Sequence, residues 1–155
     1  AFARLREQRP ARLIILGEGR DRAELEALAG ELGIAGDLDL PGFAANPYPF
    51  MARADLFALS SAWEGSPNVL TEALALGTPV VATDCQSGPR ETLAGGRYGP
   101  LVPVSDAEVL GRALAETIAA PPSPAFLQEA AAPFEAEASA RAYLAALGIH
   151  PEPTP

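Results

Sequence analysis

The 155-residue chain has no lysine, one cysteine and one histidine, and each scarcity removes a function. Without a Gly-Lys-Ser or Gly-Lys-Thr step there is no Walker-type phosphate loop. Cys85 alone makes neither an intramolecular disulfide nor a four-cysteine zinc site. His150 alone, beside the C-terminal tail, excludes His-rich metal sites and argues against a Ser-His-Asp triad. No Gly-x-Ser-x-Gly elbow occurs. Basic charge is also scarce. A net charge of −9 with scattered arginines gives no surface for nucleic-acid phosphates. No apolar run reaches the roughly 18 residues of a membrane span, and no signal peptide is visible. The cysteine usage fits the cytoplasm.

What is present is enough apolar material for a core: 48% of residues are hydrophobic and 20% charged, at a length that suits one domain. The chain opens on Ala1, and residues 1–9 already have helical spacing with no cap before them, as in a piece of a longer chain. Pro10 stops that helix. Arg12–Gly17 is a continuous apolar run that suits a parallel strand buried on both faces. A helix follows over Asp21–Leu32, with Leu25, Leu28, Ala29 and Leu32 on one face. Short strands are expected at 37–40, 55–60, 79–83 and 98–104. Between them lie helices at 49–54, 67–76 and near Pro89, and Ser105 can cap a helix over 106–119. Pro121–Pro124 reads as a linker, and Pro133 divides 125–147 into two helices. Strands alternating with helices over short connections give an α/β fold, a Rossmann-like parallel sheet with helices on both faces.

In such sheets ligands bind beyond the carboxyl ends of the strands. Three turns fall there: Gly17–Gly19, Glu64–Asn68 and Asp84–Gly88. Gly17-Glu18-Gly19 is the first half of a dinucleotide fingerprint, but its third position is Arg22. Ser66-Pro67 starts a helix, with Ser66 as cap and Pro67 at the first helical position. The backbone N–H groups of Asn68, Val69 and Leu70 then make an anion site with the helix dipole; a capped helix end holding only water is the competing reading. Glu72 lies four residues after Asn68 on the same helix face, while Val69, Leu70, Ala73 and Leu76 pack on the sheet. A carboxylate can accept both hydrogen bonds of a vicinal diol, so Glu64 and Glu72 could hold hydroxyl pairs on either side of a phosphate. By spacing alone, Glu72 is equally a helix former on a solvated face.

The ordered set from Glu64-Gly65-Ser66-Pro67-Asn68-Val69-Leu70-Thr71-Glu72-Ala73 through Gly77-Thr78-Pro79-Val80-Val81-Ala82-Thr83-Asp84 to Ser87-Gly88-Pro89-Arg90-Glu91 resembles the C-terminal, donor-binding domain of GT-B retaining glycosyltransferases of the family 4 type. Leu16–Gly19, Leu40–Phe43 and Tyr98–Val104 extend the likeness over roughly residues 1–119. The resemblance implies a domain at 1–120 that binds a nucleotide-diphosphate sugar; the chain's own pattern adds C-terminal helices at 121–150 and a disordered tail at 151–155. The resemblance also implies retaining sugar transfer to a glycan, lipid or other acceptor. Glu64 would be catalytic, contacting the transferred sugar, and Glu72 would bind the ribose. The amides of Asn68, Val69 and Leu70 would hold the diphosphate, with Gly17, Gly19, Gly65, Ser66 and Pro67 shaping the donor site and Phe43 near the base. No cofactor or metal is implied, since basic side chains and helix dipoles stabilise the leaving diphosphate.

Against the family pattern, the N-terminal acceptor domain and the first strand of this domain are missing. That domain would be a partner within the same chain, and any peripheral membrane association at the inner face would run through it. The absent first strand would leave Leu13–Leu16 and Leu56–Leu59 flanking a gap in a 3-2-1-4-5-6 sheet. The 155 residues alone are therefore expected to be poorly stable and inactive. Two other functions fit the same residues: a nucleotide-sugar epimerase of GT-B fold, and a non-enzymatic, flavodoxin-like nucleotide-binding module.

Overall fold

The computed structural model describes residues 1–149. His150 and the tail assigned to 151–155 lie outside the described residues. In chain order the elements are α1 (Phe2–Gln8), β1 (Leu13–Leu16), α2 (Arg22–Glu31), β2 (Leu38–Gly42), α3 (Tyr48–Met51), β3 (Phe57–Leu59) and α4 (Asn68–Ala75). Then come β4 (Val80–Thr83), α5 (Pro89–Thr92), β5 (Leu101–Val102), α6 (Ala107–Ala119), α7 (Pro124–Ala131) and α8 (Ala136–Ala146).

All strand pairs are parallel, and the strands form two sheets, β1-β2 and β3-β4-β5. Among the described residues no strand pair joins the two sheets. Val80, Val81, Ala82 and Thr83 of the central strand β4 are all buried. Their alternation serves two layers. Val80 and Ala82 join Leu70, Ala73 and Leu74 of α4 and Leu127, Ala130 and Ala131 of α7 in one core. Val81 joins Leu5 of α1 and Ala113 and Leu114 of α6 in the other. Period-two side chains on a β-branched strand feed both layers, so helices cover both faces. Each fully buried leucine contributes roughly 1.5–3 kcal/mol. Just past the end of α4, Gly77 has φ +75°, and a Cβ there would meet Pro124 Cβ at 2.7 Å, which leaves no room for a side chain. That contact seats α7 on α4.

Several sequence expectations need correction. The inward face of α4 is Leu70, Ala73 and Leu74; Val69 and Leu76 are exposed, because the true inward stripe lies about one residue out of phase with the expected one. Ser105 does not cap α6. It sits at φ 63°, and Asp106 accepts the Val109 N–H at 2.9 Å instead; the carboxylate one residue on reaches the first turn. The last strand is only Leu101–Val102. Pro124 is the first residue of α7 rather than linker, capped by Ser123. On α2 only Ala29 is buried, and β1, expected to be buried on both faces, leaves Ile14 and Ile15 exposed. No second layer covers that unit among the described residues.

Candidate functional site

Parallel pairing puts the carboxyl ends of β3, β4 and β5 on one side, so the 60–67 and 84–88 loops meet there. They interlock. Ser87 Oγ donates to the Glu64 carbonyl at 2.5 Å. Gly88, at φ +85°, lies so close that a Cβ would meet Pro67 Cδ at 2.5 Å and the Gly65 carbonyl at 2.8 Å. Only glycine fits this approach. The 60–67 loop is also tied to the sheet, since the buried Thr83 hydroxyl donates to the Ser61 carbonyl at 2.6 Å. Ser61 Oγ in turn donates to Glu64 Oε1 at 2.6 Å.

The helix start differs from the expected one. Asn68, not Pro67, is the first residue of α4, and Pro67 is the N-cap with no side-chain cap bond, so Ser66 does not cap. Pro67 has ψ 85°, outside the helical range, which shifts the start by one residue. The Leu70 N–H is already bonded to the Pro67 carbonyl at 2.9 Å, and its side chain is in the core. Among the described residues the Asn68 and Val69 N–H groups have no intramolecular acceptor. The free donors at the positive end of the helix are therefore two, not three.

Glu72 lies one turn further along, half-buried. Tyr48 Oη donates to its Oε1 at 3.3 Å. α3 is fastened for this contact: Asn46 Oδ1 accepts the Tyr48 N–H at 3.1 Å, and buried Thr78 Oγ1 donates to the Met51 carbonyl at 2.9 Å. No arginine forms an ion pair with Glu64 or Glu72 among the described residues. Each carboxylate has accepted one hydroxyl donor and keeps an oxygen for a ligand. The rim cation is Arg90, paired with Asp84. Trp63, next to Glu64, is 82% exposed.

The other expected residues form a separate group. Gly17 N–H donates to the Gly42 carbonyl at 2.8 Å, which joins the Gly17–Gly19 turn to the Gly42–Phe43 turn at the ends of β1 and β2. Phe43 is 81% exposed. Arg22 clasps Glu18, Glu26 and the Leu40 carbonyl, and its guanidinium holds the Glu18 carboxyl below the usual carboxylate range. Among the described residues no hydrogen bond runs from this group to Glu64 or Glu72. No cluster of three metal-ligating side chains occurs among the described residues. No described helix is long and apolar enough to cross a membrane.

Ser61, Ser87 and Tyr48 were missed by sequence reasoning. The Ser61-x-x-Glu64 spacing was a signal for the first. Nothing local flags the other two, since Ser87 lies 23 residues from Glu64 and Tyr48 lies 24 from Glu72.

The family described as "Glycosyl transferases group 1" matches residues 1–133. A 4-alpha-N-acetylgalactosaminyltransferase of Campylobacter jejuni, whose name gives a diphospho-undecaprenol-linked saccharide, is 44% identical over 106 residues, covering 68% of this chain and 28% of that protein. Among solved structures, the lipopolysaccharide outer core galactosyltransferase WaaB in its apo form has a TM-score of 0.78 at 25% identity, covering 88% of this chain and 40% of that one. Anabaena HepE in complex with UDP has a TM-score of 0.73 at 26% identity, covering 90% and 39%. The expected fold, α/β with helices on both faces as in the C-terminal half of GT-B enzymes, matches these structures. The chain spans 23%, 28% and 31% of the first three curated relatives it matches.

Proposed function

The chain belongs to the group 1 glycosyl transferases, and from that membership we propose that it is the donor-binding, C-terminal domain of a family 4-type retaining glycosyltransferase. Its donor is a nucleotide-diphosphate sugar. Glu72 accepts the ribose diol, the Asn68 and Val69 amides with the α4 dipole hold the diphosphate, and Glu64 faces the transferred sugar. The observation that carries this reading is the α4 entrance itself. Among the described residues, two amides without an internal acceptor lie along the chain between two carboxylates that form no ion pair. Fixed donors aimed at a diphosphate stabilise it most as it leaves with the charge, so no metal is needed. The UDP in the HepE structure supports a nucleotide donor.

The rim is open. Two surface hollows, one lined by Arg22, Ala29 and Leu40 and one by Arg97, Tyr98 and Thr117, contain none of the candidate donor-site residues. An open shelf of this kind suits one wall of an interdomain cleft. The other wall would be the acceptor-binding domain of the same protein, which would also carry any membrane contact at the cytoplasmic face. By analogy with the Campylobacter relative, the acceptor class is a lipid-linked or polysaccharide sugar.

Calorimetric titration of the intact protein with UDP, GDP, ADP and their sugars tests the reading. One nucleotide series should bind, and Glu72→Ala should abolish that binding while circular dichroism stays unchanged. Undiminished binding by Glu72→Ala overturns it. For the retaining outcome, the product's anomeric configuration by NMR should equal the donor's.

A further inference from the structure

We propose that Ser61 is a positioning residue for Glu64, holding the carboxylate toward the transferred sugar; this rests on the role given to Glu64 above. Ser61-x-x-Glu64 has the spacing of a capping box, in which the glutamate would reach back to a backbone N–H at a helix start. No helix starts there: the helix begins at Asn68, and residues 61–67 are irregular. The bond runs between the two side chains instead, at 2.6 Å. It caps nothing, so its effect is to fix the orientation of the Glu64 carboxylate.

The arrangement is anchored from both sides. The buried Thr83 hydroxyl on β4 donates to the Ser61 carbonyl at 2.6 Å, which sets the serine relative to the sheet. Ser87 Oγ donates to the Glu64 carbonyl at 2.5 Å, which sets the glutamate backbone. Gly88 packs against Gly65 and Pro67 and closes the loop from the other side. With both backbones fixed, the Ser61 hydroxyl constrains the remaining freedom, the Glu64 side-chain torsions. Glu64 makes no ion pair among the described residues, so no cation does that job in its place. An uncharged donor leaves the negative charge undiminished for the reacting centre.

The test uses the intact protein and the UDP, GDP or ADP sugar that binds in the titration above. Ser61→Ala should lower kcat about tenfold or more, the size expected for losing a hydrogen bond to a charged group, with donor KM changed less than twofold. Ser61→Thr, which keeps the hydroxyl, should restore most of kcat. Wild-type kcat in Ser61→Ala overturns the inference, as does a loss that Ser61→Thr does not rescue. Glu64→Gln separates the two claims: if it keeps full kcat, the role of Glu64 falls and this inference with it. If Glu64→Gln loses kcat and Ser61→Ala does not, only the positioning falls. A crystal structure of Ser61→Ala gives a readout without turnover. The Glu64 carboxylate should leave its position, and an unmoved carboxylate overturns the inference.

Discussion

β1 and β4 are both four-residue apolar strands in parallel pairs, yet one is buried throughout and the other is not. β4 has a strand on each side and helices on both faces. β1 has one neighbour among the described residues, and Ile14 and Ile15 are 47% and 37% exposed. The helix beside it is no better covered, with Leu25, Leu28 and Leu32 at 38–50% exposure. An apolar run states what a strand would bury if it had partners; the partners decide whether it does. The candidate site follows the same division. Its interlocked loops grow from the covered sheet, while the Gly17–Gly19 and Phe43 turns grow from the uncovered one.

The largest expected effect that can break this comparison is a pair of leucine truncations. Leu74→Ala, at a fully buried position of α4, should cost about 2–5 kcal/mol in denaturant unfolding. Leu28→Ala on α2 should cost under about 1 kcal/mol. Equal costs would mean that α2 is covered in solution by something the structure does not contain.

A smaller effect tests the clamp on the covered sheet. Gly88→Ala forces a Cβ onto Pro67 and the Gly65 carbonyl at a positive φ. It should cost about 1–3 kcal/mol in stability and weaken nucleotide binding by displacing the α4 entrance. Wild-type affinity in a folded Gly88→Ala would show that the two loops move independently.

The smallest effect lies on the uncovered sheet. Arg22 bonds Glu18 and depresses its pKa in the folded state. That contribution is present above the unfolded carboxylate value and is lost as pH falls through the depressed folded value. Both groups reach solvent, so it is small and screened by salt. Arg22→Gln should therefore lose a little stability at neutral pH. The gap from wild type should narrow on acidification below about pH 4, leaving the pH-independent share of the Leu40 bond. A gap that widens on acidification would refute the sign.

The covered half was readable because its signals are local. Pro79 and the Val80-Val81-Ala82-Thr83 run mark β4, and the Glu64-to-Glu72 motif marks the α4 entrance. The misses have physical reasons. Pro67 sits half outside the helix, which moved the start by one residue and withdrew Leu70 as a donor. Ser66 and Ser105 looked like caps, but capping depends on backbone geometry that the residue type does not specify. The links from Tyr48 to Glu72 and from Ser87 to Glu64 join different elements. Only the packed sheet brings those groups together, and a local sequence window cannot contain it.

Thr83 carries this furthermost. Its hydroxyl has a single proton and two carbonyls within reach, Ser61 at 2.6 Å and Leu59 at 3.3 Å. The end of β3 and the root of the Glu64 loop thus compete for one donor. The shorter distance assigns the proton to Ser61, so the root of the Glu64 loop is held while the end of β3 relies on its ladder with β4. One buried hydroxyl on β4 thus lies between the end of β3 and the loop that carries Glu64.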